Sequence, residues 1–288
     1  MEIIGQTEMW SFFDEGPECE ITKNTTVRSG AGHLVKSFLE LATKVAELQF
    51  RNREQVLLFR GQNGDHKNQK KHTTLKPSLF RSSVSVENPS GAILTNRFNK
   101  LRQAEQQLQL LYKGKDFLGV ERLKRQRILR WAILQHYEVC PTPLLDVTHS
   151  LRIAASFASD GAIDQAFLFV LGVPNLSGAI TASAEAGLQI VRLSSVCPPV
   201  AVRPHIQEGY LLGEYPEMAE YGQKEHYHHY EIDFGRRLVA KFRFHPLEFW
   251  KNDDDFPKVE KAALYPPENR DRLFRLASKV KKAIGSSH

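Results

Sequence analysis

The chain has 288 residues, 41% hydrophobic and 25% charged, a balance that supports a sizeable buried core and excludes a disordered or fibrous protein. No segment approaches the roughly 18 apolar residues of a membrane span, and the first residues, MEIIGQTEMWSFFDEG, lack a basic-then-apolar leader pattern, so a cytoplasmic location with no membrane partner is expected. Cys19, Cys140 and Cys197 are too widely spaced for a disulfide framework or zinc ribbon, and a net charge of +6 favours a polyanionic partner.

Residues 31–49 place Leu34, Val35, Phe38, Leu41, Val45 and Leu48 at helical spacing, and the apolar run VLLF (56–59) predicts a buried strand. That run ends in Arg60, Gly61 and Gln62, and an arginine closing a core strand needs an acidic partner from the protein or from a ligand. The following GQNGDHKNQKKHTT is polar and aperiodic and reads as a mobile surface loop. A second helix over 92–112 carries Leu94, Phe98, Leu101, Leu108 and Tyr112, and a third spans 121–137. FLFVLGV and GLQIVRL are short and β-rich, and RRLVAKFRF alternates through Leu238, Ala240, Phe242 and Phe244 as a half-buried strand does. Behind Pro266-Pro267, Leu273, Leu276, Val280 and Ile284 share one face of a final helix. Helices first, strands later and a helix last predict an α+β domain with no clear linker.

Two stretches are strongly basic. Arg122, Lys124, Arg125, Arg127 and Arg130 form one; Arg270, Arg272, Arg275, Lys279, Lys281 and Lys282 form the other. Each is either a solvated helix face or part of a track for nucleic-acid phosphates, with Arg122, Lys124, Arg125, Arg127, Arg275 and Lys279 the candidate contacts. HYHHY (226–230) lacks metal-ligand spacing and NDDDF (252–256) lacks an EF-hand pattern, so no metal site is expected. No Walker loop, GxGxxG or GxSxG is present, which argues against ordinary NTPase, Rossmann and hydrolase chemistry.

Four stretches stand out together: LFRGQ (58–62), LKPSLFR (75–81), LQHYEVCPTPLLDVTHSLRIAASFAS (134–159) and RPHIQEGYLL (203–212). In this order they resemble the FRG domain family, through Phe59-Arg60-Gly61, Gln135-His136-Tyr137, Pro141-Thr142, Leu144-Leu145-Asp146, Phe157-Ala158, and Gln207 with Gly209. Pro143 stands where that family usually has arginine and Val147 where it has tryptophan, so no role is carried over to those two. More distantly, LFRG, LLDVTHSLRIAASFA and IQEGYLL resemble in order and residue type the arginine strand, serine/threonine strand and glutamate strand of ADP-ribosyltransferases of the Arg-Ser-Glu kind.

The resemblance implies an ADP-ribosyltransferase-like split β-sheet with surrounding helices over 31–250, between an N-terminal extension (1–30) and a C-terminal turn and basic helix (251–288). It also implies transfer of ADP-ribose from NAD to a macromolecule, with nucleic acid as the expected acceptor and a role as a toxin or phage-defence effector restrained by an inhibitory partner such as an antitoxin. A non-catalytic nucleotide- or nucleic-acid-binding module and an NAD glycohydrolase are the alternatives. Cleaving the nicotinamide bond passes through an oxocarbenium-like state, which calls for a carboxylate or amide dipole near the ribose and a clamp on the diphosphate.

The catalytic set implied is Arg60, Thr148, Ser150, Gln207 and Glu208; the NAD contacts are Arg60, Gly61, Gln62, Ser78, Arg81, His136, Tyr137 and Asp146. Arg60 offers a bidentate fork to phosphate, and Gly61 lets the cofactor approach the backbone. Arg60 could equally pair with Asp146 to lock two strands, and Thr148 or Ser150 could cap the helix that follows. Gln207 and Glu208, read as strand neighbours, face opposite ways, with Gln207 toward the pocket; Glu208, Glu214 and Glu138 are the candidates for the negative charge.

Overall fold

The computed structural model describes residues 8–14, 16, 18–82, 89–175, 177–225, 232–251 and 255–285. The stretch 226–230 and residues 252–254 therefore lie outside the described residues. A hairpin of β1 (Met9–Phe12) and β2 (Cys19–Thr22) leads to α1 (Asn24–Ser29), β3 (His33–Leu34), α2 (Phe38–Arg51) and β4 (Val56–Gln62). Next come α3 (Gly91–Lys113), α4 (Val120–Arg125), α5 (Arg127–His136), β5 (Leu145–Thr148), α6 (Leu151–Ser159) and β6 (Ala166–Val173). They are followed by β7 (Ile180–Ser183), β8 (Leu188–Arg192), α7 (Leu193–Val196), α8 (Val202–Ile206), β9 (Gly209–Glu214) and α9 (Tyr221–Glu225). The last elements are β10 (Leu238–Phe244), α10 (Pro246–Lys251), α11 (Lys261–Leu264) and α12 (Arg272–Gly285).

The fold is α+β, built on a mixed sheet of eight strands in the order β3-β10-β6-β4-β5-β9-β8-β7. Only β3 and β10 run parallel among its described pairings. The sheet is pinched at its centre. β4 pairs with β6 from Val56–Val173 to Gln62–Phe167, yet meets β5 at a single pair, Phe59–Thr148. Beyond that pair the two strands part, and the gap between them is where the cleft forms.

Leu57, Leu58 and Phe59 are all at most 2% exposed, so both faces of β4 are covered; this is why the strand reads as a continuous apolar run. One cover is α6, whose Ala154, Ala155 and Ala158 are fully buried. The packing is close because position 61 has no side chain: a Cβ there would lie 1.8 Å from the Ala154 carbonyl oxygen. The space left by the missing Gly61 side chain thus admits a helix backbone rather than a cofactor, while Gly61 itself lines the cleft. Any larger residue has to push α6 off the sheet.

Three sequence expectations need adjustment. The helix expected over 31–49 starts at Phe38, because His33 and Leu34 pair with the edge of β10 and Ser37 caps the helix, accepting from Glu40 N. The helix expected over 121–137 is broken at Gln126, whose extended backbone separates α4 from α5. The segment after β4 is not a free loop: Asn68 and His72 exchange hydrogen bonds, Thr73 is fully buried, and Asp65 and Thr73 accept from Lys241. Among the described residues no helix is long and apolar enough to cross a membrane.

Candidate functional site

A cleft of about 430 Å³ opens at the pinch in the sheet. Arg60, Gln62, Gln135, His136 and Asp146 line it, together with Arg81, Arg203, Gln207, Phe157 and Tyr265. The Phe157 and Tyr265 rings meet edge to face at 5.8 Å, giving one aromatic wall.

Asp146 is the centre of this arrangement. Its Oδ2 accepts from Gln135 Nε2 at 2.6 Å, and its Oδ1 lies 3.8 Å from His136 Nδ1. The Gln135 amide is locked in the right sense, since its Oε1 accepts from Thr142 Oγ1 at 2.6 Å and Ser78 Oγ at 3.2 Å, leaving the NH₂ for Asp146. Burial pushes the Asp146 carboxyl up, but His136, Arg60 and Gln135 together hold it below its ordinary value. The carboxylate is therefore ionised at neutral pH and still 36% exposed to the cleft. His136 is 4% exposed and pushed down by burial, so it is neutral; its Nε2 has no hydrogen-bond partner among the described residues.

Arg60 does not form the strand-locking ion pair with the Asp146 carboxylate. Its Nη1 donates instead to the Asp146 backbone oxygen at 2.6 Å, bridging the gap where the ladder between β4 and β5 stops. The Gln62 amide is best served with its oxygen toward the guanidinium, 3.1 Å from Nε and 3.3 Å from Nη2. Burial and the neighbouring Arg81 push Arg60 down to about 10, against the pull of Asp146, and it remains a cation at neutral pH. Arg203 is matched by Glu138 at 2.8 Å and Asp160 by Lys261 at 2.7 Å. The lining thus carries three guanidiniums and three carboxylates; with Arg203 paired to Glu138 and Asp160 to Lys261 outside the lining, Arg60 and Arg81 are left beside the one carboxylate of Asp146, an arrangement of fork-like donors that suits an anionic ligand.

The remaining expected site residues divide. Thr148 lines the cleft but is 4% exposed, and its hydroxyl is used internally, donating to Gln207 O at 2.8 Å and accepting from Ser150 N at 3.0 Å. Ser150 precedes α6 without a side-chain cap and does not line the cleft. Ser78 acts one layer out, on Gln135. Tyr137 also points away: its hydroxyl donates to Asp271 at 2.9 Å and its ring stacks on Phe274, pinning α12.

The reading of Gln207 and Glu208 as adjacent strand residues is overturned, because β9 begins at Gly209. Gln207 is the helical C-cap of α8 and Glu208 takes a left-handed turn with φ +44°. Gln207 does face the cleft, but its Nε2 donates to Leu264 O at 2.7 Å, while Glu208 is exposed and outside the lining. Of the other candidate acids, Glu214 is engaged by Lys224 away from the cleft and Glu138 lines it. Gln135, Arg203 and Tyr265 are the contributors that sequence reasoning left without a role. Gln135 and Arg203 were within reach through their neighbours in the motif stretches; Tyr265 comes from a segment that only the tertiary fold brings in.

Of the basic stretches, Arg122, Lys124, Arg125 and Arg127 are exposed, as are Arg275 and Lys279. Arg130 is not available: it is 8% exposed and bound to Glu105 and to the Leu123 and Lys124 carbonyls. Arg272 at the start of α12 lies 5.2 Å over the ring of Phe117, in the turn before α4.

No curated protein and no solved structure matches this chain. Residues 55–166, which contain Arg60, Ser78, Arg81, Gln135, His136, Asp146 and Thr148, match the family model of the FRG domain.

Proposed function

We propose that the cleft binds NAD and that the protein transfers the ADP-ribosyl group to a macromolecule, with nucleic acid as the acceptor class. The observation that carries this is the pairing of two guanidiniums, Arg60 and Arg81, with a single ionised, partly open carboxylate, Asp146, beside the Phe157–Tyr265 wall. In this reading the arginines hold the diphosphate, which takes fork-like donors bidentately, and the aromatic wall packs on a ring. As the bond from ribose C1′ to nicotinamide breaks, nicotinamide leaves with the electron pair and positive charge grows on the ribose. Asp146 stabilises that charge, in place of the candidates Glu208, Glu214 and Glu138, until an acceptor nucleophile bonds to C1′ and loses its proton. The pinch between β4 and β5 supports an ADP-ribosyltransferase-like split of the sheet.

A non-catalytic nucleotide-binding module is the second reading, favoured by the commitment of the Gln207 amide to Leu264 and by the position of Glu208 outside the cleft. Incubation of the pure protein with labelled NAD, alone and with RNA, DNA or cell extract, separates the readings. Label on a polymer means transfer; free ADP-ribose means hydrolysis; intact NAD in every case, with NAD bound, means a binding module.

A further inference from the structure

A second cavity of about 300 Å³ lies behind the cleft, bounded by Tyr137, by Pro266, and by Phe274, Ser278 and Lys281 of α12. Glu138, Arg203 and Tyr265 line both cavities and form the partition between them. Its volume is at the lower end of small-ligand sites, roughly 300 to 1,000 Å³. The partition is incompletely satisfied. Arg203 is 7% exposed, its Nη2 donates to Glu138 and its guanidinium lies 4.5 Å from the Tyr265 ring centre, yet its Nε is buried with no hydrogen-bond partner among the described residues. Glu138 holds φ +53°, a left-handed conformation unusual for a residue other than glycine, next to that same arginine. Outside the cavity, Arg275 and Lys279 stand exposed on α12.

We infer that this second cavity is a docking subsite for the acceptor strand and takes one unstacked base of single-stranded nucleic acid, whose phosphates run along the basic side of α12. The inference rests on the NAD reading of the main cleft. Phe274 and Tyr265 offer ring surface, which accepts any base because every base has a π-face. Ser278 and Lys281 add a hydroxyl and a cation at the rim, groups that suit a base edge and a phosphate. The base held there lies across the Glu138, Arg203 and Tyr265 side chains from the NAD ribose, so the attacking atom belongs to another part of the same strand that enters the main cleft.

The test is binding of a short single-stranded RNA, and of the same RNA carrying abasic residues, to the full chain and to Ser278→Trp and Lys281→Ala, with NAD binding measured in parallel. Ser278→Trp fills the cavity without changing charge; Lys281 is exposed, so its alanine variant keeps the fold if the tryptophan disturbs it. The expected result is RNA affinity lower by about tenfold in Ser278→Trp, the size of one lost stacking contact, lower affinity with a shallower salt dependence in Lys281→Ala, weaker binding of abasic RNA by the wild type, and unchanged NAD affinity. Equal binding of intact and abasic RNA, or unchanged RNA affinity in both variants, overturns the subsite. Label transferred from NAD to protein but never to RNA also overturns it and makes the cavity a seat for a peptide side chain. If the wild type binds no NAD while RNA binding still depends on the cavity, the base site stands and the transfer reading alone falls.

Discussion

Two cations that leave the same sheet are treated in opposite ways. Lys241 on β10 is 1% exposed, and its ammonium has three acceptors: Gly30 O at 2.6 Å, Asp65 Oδ2 at 2.8 Å and Thr73 Oγ1 at 2.9 Å. Three N–H donors meet three acceptors, and nothing is left for a ligand. Arg60 on β4 is half-buried and spends Nη1 on a backbone oxygen and its other donors on a single amide, at the edge of an open cleft. Two other residues lining that cleft, His136 and Arg203, each keep a buried ring or guanidinium nitrogen, Nε2 and Nε, without a partner among the described residues. A buried charge alone does not mark a site. What separates a strut from a site is whether its hydrogen-bonding capacity has been used up.

The largest effect is expected at the strut. Asp65→Ala strips Lys241 of its counter-charge while leaving it buried, and a buried ion pair broken on one side costs about 3–5 kcal/mol. Chemical denaturation should show that loss as a lower midpoint with the same slope, since the native surface is unchanged. A loss below 1 kcal/mol would mean that Lys241 reaches water once unpaired, and the contrast with Arg60 would weaken.

At the site the same kind of change is expected to act on chemistry instead. Asp146→Asn keeps the shape and the Gln135 contact in part but removes the charge, and loss of one stabilising group typically lowers turnover by about 10²–10³. NAD affinity should hold, because the two arginines remain. The pH profile gives an independent check. Because the folded Asp146 pKa lies below its ordinary 3.8, the stability contributed by the ionised form is present above pH 3.8 and is lost as pH falls through the lower folded value. Turnover that depends on this carboxylate should therefore show no acid limb above pH 3.8 from Asp146. A limb between pH 4 and 6 that vanishes in the asparagine variant would overturn the lowered pKa of Asp146 while keeping its carboxylate in the reaction.

Arg60→Lys should act more mildly. A point charge replaces a fork, and NAD binding should weaken by about tenfold, with melting close to that of the wild type. Earlier melting with normal NAD affinity would move Arg60 into the same class as Lys241, since its Nη1 bridges the gap between β4 and β5.

The same contrast explains what could be read from sequence. VLLFRGQ announced a buried strand ending in a polar group because both facts are local, and most of the cleft lining falls in the motif pieces around Arg60, His136 and Asp146. Partners far along the chain were not legible. The segment after β4 looked mobile because the residue that anchors it, Lys241, is 176 positions from Asp65. Gln207 and Glu208 looked like strand residues because the apolar run after them is one; the α8 cap and left-handed turn that displace Glu208 carry no periodic signal. Gly61 was assigned to the ligand for its missing side chain, and only the approach of Ala154 reveals what occupies that space.

The smallest expected effect concerns the surface charges, which belong to neither class. Arg122, Lys124 and Arg125 on α4 and Arg275 and Lys279 on α12 are exposed, and their described contacts are weak, such as Lys124 to Glu121 at 3.9 Å. Solvated faces and phosphate tracks look alike in such a setting, and salt dependence distinguishes them. Each cation that contacts a phosphate releases a counterion, so neutralising it should lower the slope of log affinity against log salt by roughly 0.7 for single strands and 0.9 for duplex. Substitutions on α4 and α12 should each reduce the slope of RNA binding, and the combined variant should reduce it by their sum. NAD binding should not change, since none of these side chains lines the cleft. A change from α12 alone would confine the track to the helix beside the second cavity. Identical slopes in all variants would make both stretches ordinary solvated faces and shift the expected acceptor from nucleic acid to protein.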